Sequence, residues 1–220
     1  MIPYVDIHTH IVQNTNDVFI YNCSDFHEIK SVISTCSIGI HPWNVQSKAQ
    51  IDDWCELFEQ TIEHKSILCI GECGLDKTQP HTFELQLYAC MKQFKLAQKY
   101  HMPVIVHCVR AYYDIISLYK NVKCTFPLVF HKFSGNQHVI QALLAYPMYM
   151  SFGSEICFRS FPESYKDIPL QRIFAETDNN TQIPIAEVYS CLSRALNIDE
   201  EMLKNQIFEN YKVFIQPCNS

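Results

Sequence analysis

No run in this sequence approaches the roughly 18 uninterrupted apolar residues that span a bilayer, so no transmembrane helix organises it. Neither a basic start nor an apolar signal segment precedes the first strand-like stretch; secretion is not expected, and a cytoplasmic location is. CxxC spacing is absent too. The 11 cysteines are odd in number and scattered through strand-like and helix-like runs. That distribution reads as reduced thiols, not as a disulfide framework. Linkers, low-complexity tracts and internal repeats are missing, so residues 1–220 read as one domain, long enough for a large core. A basic surplus is lacking as well. The net charge of −6 argues against strong nonspecific binding to duplex DNA, although a metal-charged cleft would still attract phosphate.

What the chain does have is a first strand with chemistry on one face. In Tyr4-Val5-Asp6-Ile7-His8-Thr9-His10, alternation places Asp6, His8 and His10 on the same side, and the apolar neighbours suit a buried parallel strand. Two imidazoles at i, i+2 can reach one ion without backbone strain, although a lone His-x-His is equally at home in a core. Seven further apolar runs follow, so that candidate strands cover 4–10, 17–22, 35–41, 67–72, 103–107, 127–131, 148–153 and 172–178. Between most of them lie helical periodicities. Ile51, Trp54, Leu57, Phe58 and Ile62 share a face, as do Phe83, Leu87, Cys90, Phe94 and Ala97. Ile185, Val188, Leu192 and Ala195 form a third face, and Met202, Leu203, Ile207, Phe208 and Tyr211 a fourth, with Thr82 and Asp199 as N-caps. Eight strands alternating with helices predict an α/β fold, a TIM-type β/α barrel. The connection 11–16 is too short for the usual crossover helix, so the barrel is expected to be trimmed or distorted near its first βα unit. Segment 154–171, broken by Pro162 and Pro169, is expected to be a long loop or short helix over the site.

The candidate strands end on ligand-type residues: His10, His41, Glu72, His107, His131 and Asp178. Active sites of β/α barrels sit at those ends, and acids are seldom fully buried without a partner. A mixed set of this size can hold two divalent ions about 3.5–4 Å apart. Glu72, with two oxygens to share, is the natural bridge. His8, His10 and Asp178 would complete one ion, and His107 and His131 the other.

Six motifs occur in order: Asp6-Ile-His8-Thr-His10, Gly39-Ile-His41-Pro42, Gly71-Glu72-Cys-Gly74-Leu75-Asp76, Pro103-Val-Ile-Val-His107, His131-Lys-Phe133-Ser134-Gly135 and Glu176-Thr177-Asp178. With Asn210 in a Glu-Asn-Tyr-Lys-Val-Phe ending, the set resembles the TatD family of metal-dependent deoxyribonucleases, within the amidohydrolase-like barrels. The match runs from Asp6 to about Phe214. The resemblance implies His8, His10, Glu72, His107, His131 and Asp178 as the metal shell. It places His41 beside the metals, its loop fixed by Pro42 and Trp43, touching the scissile phosphate or simply packing the loop. Asp6 is expected to orient a ligand histidine or stabilise the strand end, and Asp76 to tie down the loop after Gly74. Three departures bear on substrate more than on metal. Asn179-Asn180 stands where family members continue with a proline-containing segment. Val109 stands where they carry an arginine, with Arg110 one residue later, and Lys132 stands where a small residue is common.

The chemistry expected is metal-assisted hydrolysis with Mg²⁺, Mn²⁺ or Zn²⁺, Asp178 serving as ligand and general base. Arg110, Lys132, Ser134 and Gly135 are the candidate phosphate holders, with Asn136 opening the next helix. Trp43, Tyr112, Tyr113 and Phe133 are either base-stacking or core residues. DNA is the favoured substrate, cut as a single strand or from a 3′ end; no membrane and no obligate protein partner are evident. A hydrolase of a small phosphoester, amide or ester on the same site, for example an aminoacyl-tRNA deacylase, is the first alternative. A non-catalytic metal- or partner-binding protein is the second.

Overall fold

The eight apolar runs form eight parallel strands paired in sequence order. They are β1 (Val5–Thr9), β2 (Val18–Cys23), β3 (Cys36–Ile38), β4 (Ile67–Asp76), β5 (Val104–Val109), β6 (Leu128–Phe130), β7 (Met148–Phe152) and β8 (Ile173–Ala175). The computed structural model describes residues 2–11, 16–29, 35–63 and 66–216. Around the strands stand α1 (Phe26–Ile29), α2 (Lys48–Thr61), α3 (Phe83–Tyr100), α4 (Tyr112–Val122), α5 (Gln137–Leu143), α6 (Ile185–Leu196) and α7 (Glu200–Phe214). No described helix is long and apolar enough to cross a membrane.

Most strands are short and fully or largely buried because they face the barrel interior on one side and helices on the other; β4, with ten residues, is the longest, and β2 is half-buried. Closure comes at one rim. The His10 amide donates to the Asp178 carbonyl, and the Asp178 amide donates to the His8 carbonyl, both at 2.9 Å. A single bridge, Thr9 to Asp178, completes the nearly closed barrel. The expected trimming is at the first unit: β1 pairs directly with β2, starting at Val5 opposite Val18. Only residues 10–17 connect them, and 12–15 of that connection lie outside the described residues. Eight extended residues reach about 26 Å, enough to run back along a five-residue strand without a crossover helix.

Several boundaries differ from the sequence reading: β3 stops at Ile38 and β8 at Ala175, so His41 and Asp178 each lie three residues beyond a strand, while β1 and β6 stop one residue before His10 and His131. β4 continues to Asp76 and β5 to Val109, so Glu72 and His107 lie inside strands. The extra pairing, Cys73 to Val106 through Asp76 to Val109, follows a register shift after Ile70 that turns Glu72 toward the rim. Gly74 is required there: its φ is +142°, and a Cβ would meet the His107 carbonyl oxygen at 2.0 Å. Asp199 caps α7 by accepting from the Met202 amide (3.0 Å), and Asn136 caps α5 by accepting from Val139 (3.1 Å). Thr82 occupies the cap position of α3 without making the cap bond, because its hydroxyl is engaged by Gln79 and Gln86. Segment 154–171 is a chain of 3-10 turns, beginning with Ser154–Cys157 and Glu163–Asp167.

The cysteine expectation holds for eight described free thiols and fails at one pair. Cys157, after β7, is disulfide-bonded to Cys191 on α6. The partners are 34 residues apart, so no short spacing announces them; packing of the turn against α6 brings them together. Cys157→Ser is expected to lower stability in oxidising buffer by about 3–4 kcal/mol, from the chain entropy of a loop that long. Urea denaturation checks this: dithiothreitol should cost the wild type about the same amount and the variant nothing more.

Candidate metal centre

The site grows from strands held at fixed register, with α3 setting its floor. Buried Gln86 accepts from the Asp76 amide (2.7 Å) and Gln93 from the Ile40 amide (2.7 Å). One helix therefore fixes both the end of β4 and the loop that carries His41. From β2, Asn22 accepts from the Glu72 amide at 2.7 Å and from Ser37 at 3.1 Å. These three amide side chains were not singled out from sequence. The legible signal was a polar residue at an otherwise apolar strand or helix position.

Glu72 is the centre. Its Oε1 lies 2.6 Å from His131 Nε2, 2.9 Å from His107 Nδ1 and 3.4 Å from His41 Nε2. Its Oε2 lies 3.4 Å from His8 Nε2 and 3.7 Å from His10 Nε2. Asp178 Oδ1 stands opposite, 3.4 Å from His8 and 3.3 Å from His10. The six residues expected as a metal shell are thus gathered at one rim, and His41 stands with them.

Two observations test whether a cation fits. Buried His8 Nε2 makes no hydrogen bond within the described protein, yet two carboxylate oxygens face it. Two ring nitrogens, His107 Nδ1 and His131 Nε2, also face each other at 3.2 Å. Ligand atoms about 2.1 Å from a shared tetrahedral ion lie about 3.4 Å apart, which is the spacing of most of these pairs. Three overlapping donor groups meet the geometric requirement: His8, His10 and Glu72; His8, His131 and Asp178; His41, Glu72 and His107.

Electrostatics point the same way. Burial alone would raise the Glu72 carboxyl, but His131, His10 and His107 hold it well below the usual carboxylate range. Asp178 is likewise lowered against its burial, by His10, His8 and Lys132. Asp178 and Glu72 raise His10 to about 9, and the carboxylates raise His8 and His131 against burial. In the metal-free protein, protons take the place of divalent charge between these acids.

A supporting ring orients the donors. His131 Nδ1 faces buried Glu176 at 3.4 Å, and Glu176 accepts from the Lys132 amide at 2.9 Å. His107 Nε2 faces Asp76 at 3.5 Å. Asp76 also accepts from Trp43 Nε1 (2.7 Å) and from the Thr78 amide and hydroxyl. It therefore ties down the loop after Gly74, as expected, and steadies His107 besides. Asp6 stabilises the strand end, accepting from the Thr177 hydroxyl (2.6 Å) and amide (3.0 Å); burial raises its pKa to about 7. Asp76→Asn is expected to weaken divalent-ion affinity about 10–100-fold, as loss of an orienting partner does; titration calorimetry reads it.

The candidate phosphate holders divide. Lys132 lines the cavity, but its Nζ is paired with Asp178 Oδ2. Both residues adopt left-handed backbone, φ 44° and 51°, costing about 1–2 kcal/mol each, the kind of strain that collects at working sites. Ser134 is exposed beside Lys132, and its amide donates to the Tyr112 hydroxyl (3.1 Å). Gly135 is buried against Phe133 and Val139. Arg110 is exposed after β5 and lines neither cavity of this rim. Among the aromatics, Tyr112 and Phe133 are core, whereas Trp43 is 62% exposed at the cavity edge against His41.

An eight-stranded β/α barrel with histidines and carboxylates gathered at the strand ends is the arrangement in which such barrels build their active sites, and its donor groups could hold divalent ions. The chain belongs to the family described as TatD related DNase, whose profile matches residues 6–216. It is 29% identical over 157 residues to the 3'-5' ssDNA/RNA exonuclease TatD of Edwardsiella piscicida, covering 66% of this chain and 58% of that protein. It is 27% identical over 150 residues to the uncharacterized metal-dependent hydrolase YabD of Bacillus subtilis, covering 64% and 57%. The matches therefore span less than two thirds of these relatives' length. The fold superposes on that of YjjV, a TatD homologue from Escherichia coli, with a TM-score of 0.79 at 19% identity, covering 96% of this chain and 97% of the other. It also resembles a TatD family hydrolase from Entamoeba histolytica, with a TM-score of 0.75 at 18% identity, covering 98% of each chain.

Proposed function

We propose that this protein is a single-domain phosphodiesterase that uses two divalent ions to cleave DNA, as a single strand or from a 3′ end. The division of Glu72 carries this reading: one oxygen faces His107 and His131, and the other faces His8 and His10. The exonuclease name of the Edwardsiella relative supports the substrate.

His8, His10 and Asp178 would hold one ion and His107 and His131 the other, with Glu72 between them. Bound there, divalent ions supply a readily deprotonated water and neutralise charge on phosphoryl oxygens. Asp178, whose Oδ2 is paired with Lys132 and whose Oδ1 faces His8 and His10, would serve as ligand and general base, a carboxylate oxygen accepting the water's proton. His41, partly exposed in the same cavity of about 380 Å³, presents Nε2 toward the place of the scissile phosphate. Lys132, beside Asp178, places a positive charge next to the same phosphate. Trp43 and Asp76 hold the His41–His107 side of the cavity in place.

A metal-screened assay over single-stranded, duplex and 3′-recessed DNA tests this reading. After EDTA treatment, Mg²⁺ or Mn²⁺ should restore cleavage, fastest on single strands. Saturation at 100-fold over Kd should stabilise the fold by about 2.7 kcal/mol, a rise in Tm of roughly 5–10 °C for a chain of this size. Robust ester or amide turnover without DNA cleavage would replace the substrate. Metal uptake with no turnover of any of them would replace the enzyme with a binding protein.

A further inference from the structure

Across Lys132 and Asn179 from the candidate metal cavity lies a second one of about 480 Å³. The two share those residues as a common wall. On the far side lie Phe158 and Arg159, immediately after the Ser154–Cys157 turn. Phe158 is 74% exposed, more than any other large hydrophobic side chain described. An unburied phenyl ring forgoes the stabilisation of the core, and its place at the mouth of a polar cavity gives it a flat face to offer. Arg159 is exposed in the same lining, and among the described residues no ion pair involves it. Glu155 is the one acid in the lining, and its Oε1 is engaged by the Gly153 amide at 3.1 Å.

The platform is held from several directions. The Phe158 and Arg159 amides both donate to the Glu155 carbonyl, at 3.1 and 3.0 Å. Cys157, the preceding residue, is covalently tied to α6 through Cys191. Asn180 donates to Ser154 Oγ at 2.7 Å, and its own Oδ1 accepts from the Gln182 and Ile183 amides. These bonds fix the backbone that carries the ring, which limits the entropy lost when the ring is engaged.

Resting on the phosphodiesterase reading, we propose that this second cavity is a nucleotide subsite for the residue of a single strand adjoining the scissile phosphate, with the Phe158 ring stacking on its base and Arg159 pairing with its phosphate. Stacking on an exposed ring is tolerant of sequence, as the π-face of every base serves, and a guanidinium matches phosphate in a bidentate fork. Trp43, on the metal cavity, means that each of the two adjoining cavities carries an exposed aromatic. Because the chain is acidic overall, strand affinity depends on such local contacts more than on a global field.

Two assays separate this subsite from the reading beneath it. With Mn²⁺, Phe158→Ala should raise the KM for a single-stranded oligonucleotide, relative to that for bis(4-nitrophenyl) phosphate, roughly tenfold, and Phe158→Trp should restore it. Binding of a fluorescein-labelled oligothymidylate in EDTA, followed by anisotropy, needs no turnover. There Arg159→Gln should flatten the slope of log Kd against log salt by about 0.7. Equal oligonucleotide affinity and salt slope across wild type, Phe158→Ala and Arg159→Gln would overturn the subsite, as would a wild type that fails to bind. Binding lost in the variants while no strand is cut by the wild type would keep the subsite and end the phosphodiesterase reading.

Discussion

Asp178→Asn is expected to lower kcat on single-stranded DNA by about 10²–10⁴-fold, the usual worth of a positioned general base, with KM little changed. The substitution keeps shape and removes charge. Asp178 sits at φ 51°, a conformation that asparagine tolerates better than most residues, so the backbone bonds joining it to His8 and His10 should survive. What disappears is the ionised oxygen that Lys132, His8 and His10 keep below the usual carboxylate range. Steady-state kinetics at saturating Mn²⁺, with the metal content of the variant measured alongside, distinguish a lost base from a lost ligand. A variant that cleaves as fast as the parent would remove Asp178 from the mechanism.

Glu72→Gln is expected to have the larger effect: hydrolysis at background and the metal-dependent rise in Tm abolished. A glutamine offers one acceptor oxygen where Glu72 offers two, and its NH₂ would turn toward the imidazoles on one side. Five histidines share this carboxylate, so the loss should be felt on both sides of it at once. The sign of the metal-free stability change follows from the direction of the shift. Despite burial, Glu72 is held well below its ordinary pKa by His131, His10 and His107. Its ionised form therefore stabilises the fold above the unfolded carboxyl pKa, and that contribution is lost as pH falls through the folded value. Removing one member of such a buried ionic cluster costs roughly 3–5 kcal/mol, to be read by urea denaturation in EDTA at neutral pH. Unchanged metal uptake by this variant would mean that the two sets of histidines do not depend on a shared oxygen.

Much of the site was legible because a barrel converts sequence order into a ring. A short apolar run followed by a ligand-type residue says both that a strand is buried and that its end carries chemistry. His8, His10, His41, His131 and Asp178 accordingly fell at the rim from local pattern alone. Glu72 and His107 were placed on the right strands but at the wrong point along them, and His41 and Asp178 were read as strand ends although β3 and β8 stop three residues before them, since strand length is set by the partner's register. Lys132 was legible as a cation near phosphate, yet its pairing with Asp178 depends on two residues in left-handed conformation coming within reach of each other. Nothing local signals that. Trp43 and Tyr112 look alike as aromatics in sequence; burial separates them.

By itself the sequence determined the alternation of strands and helices, the family, and which residue types collect at the strand ends. Periodicity and spacing are local properties, and the hydrophobic effect acts on them directly. Only the tertiary structure decided which oxygen of Glu72 faces which imidazole, that Asp76, Asn22 and Glu176 steady the donors, that Cys157 meets Cys191, and that Phe158 and Arg159 line a cavity adjoining the metal site. Those are contacts between residues tens of positions apart, fixed by barrel register and closure, and no short window along the chain contains both partners.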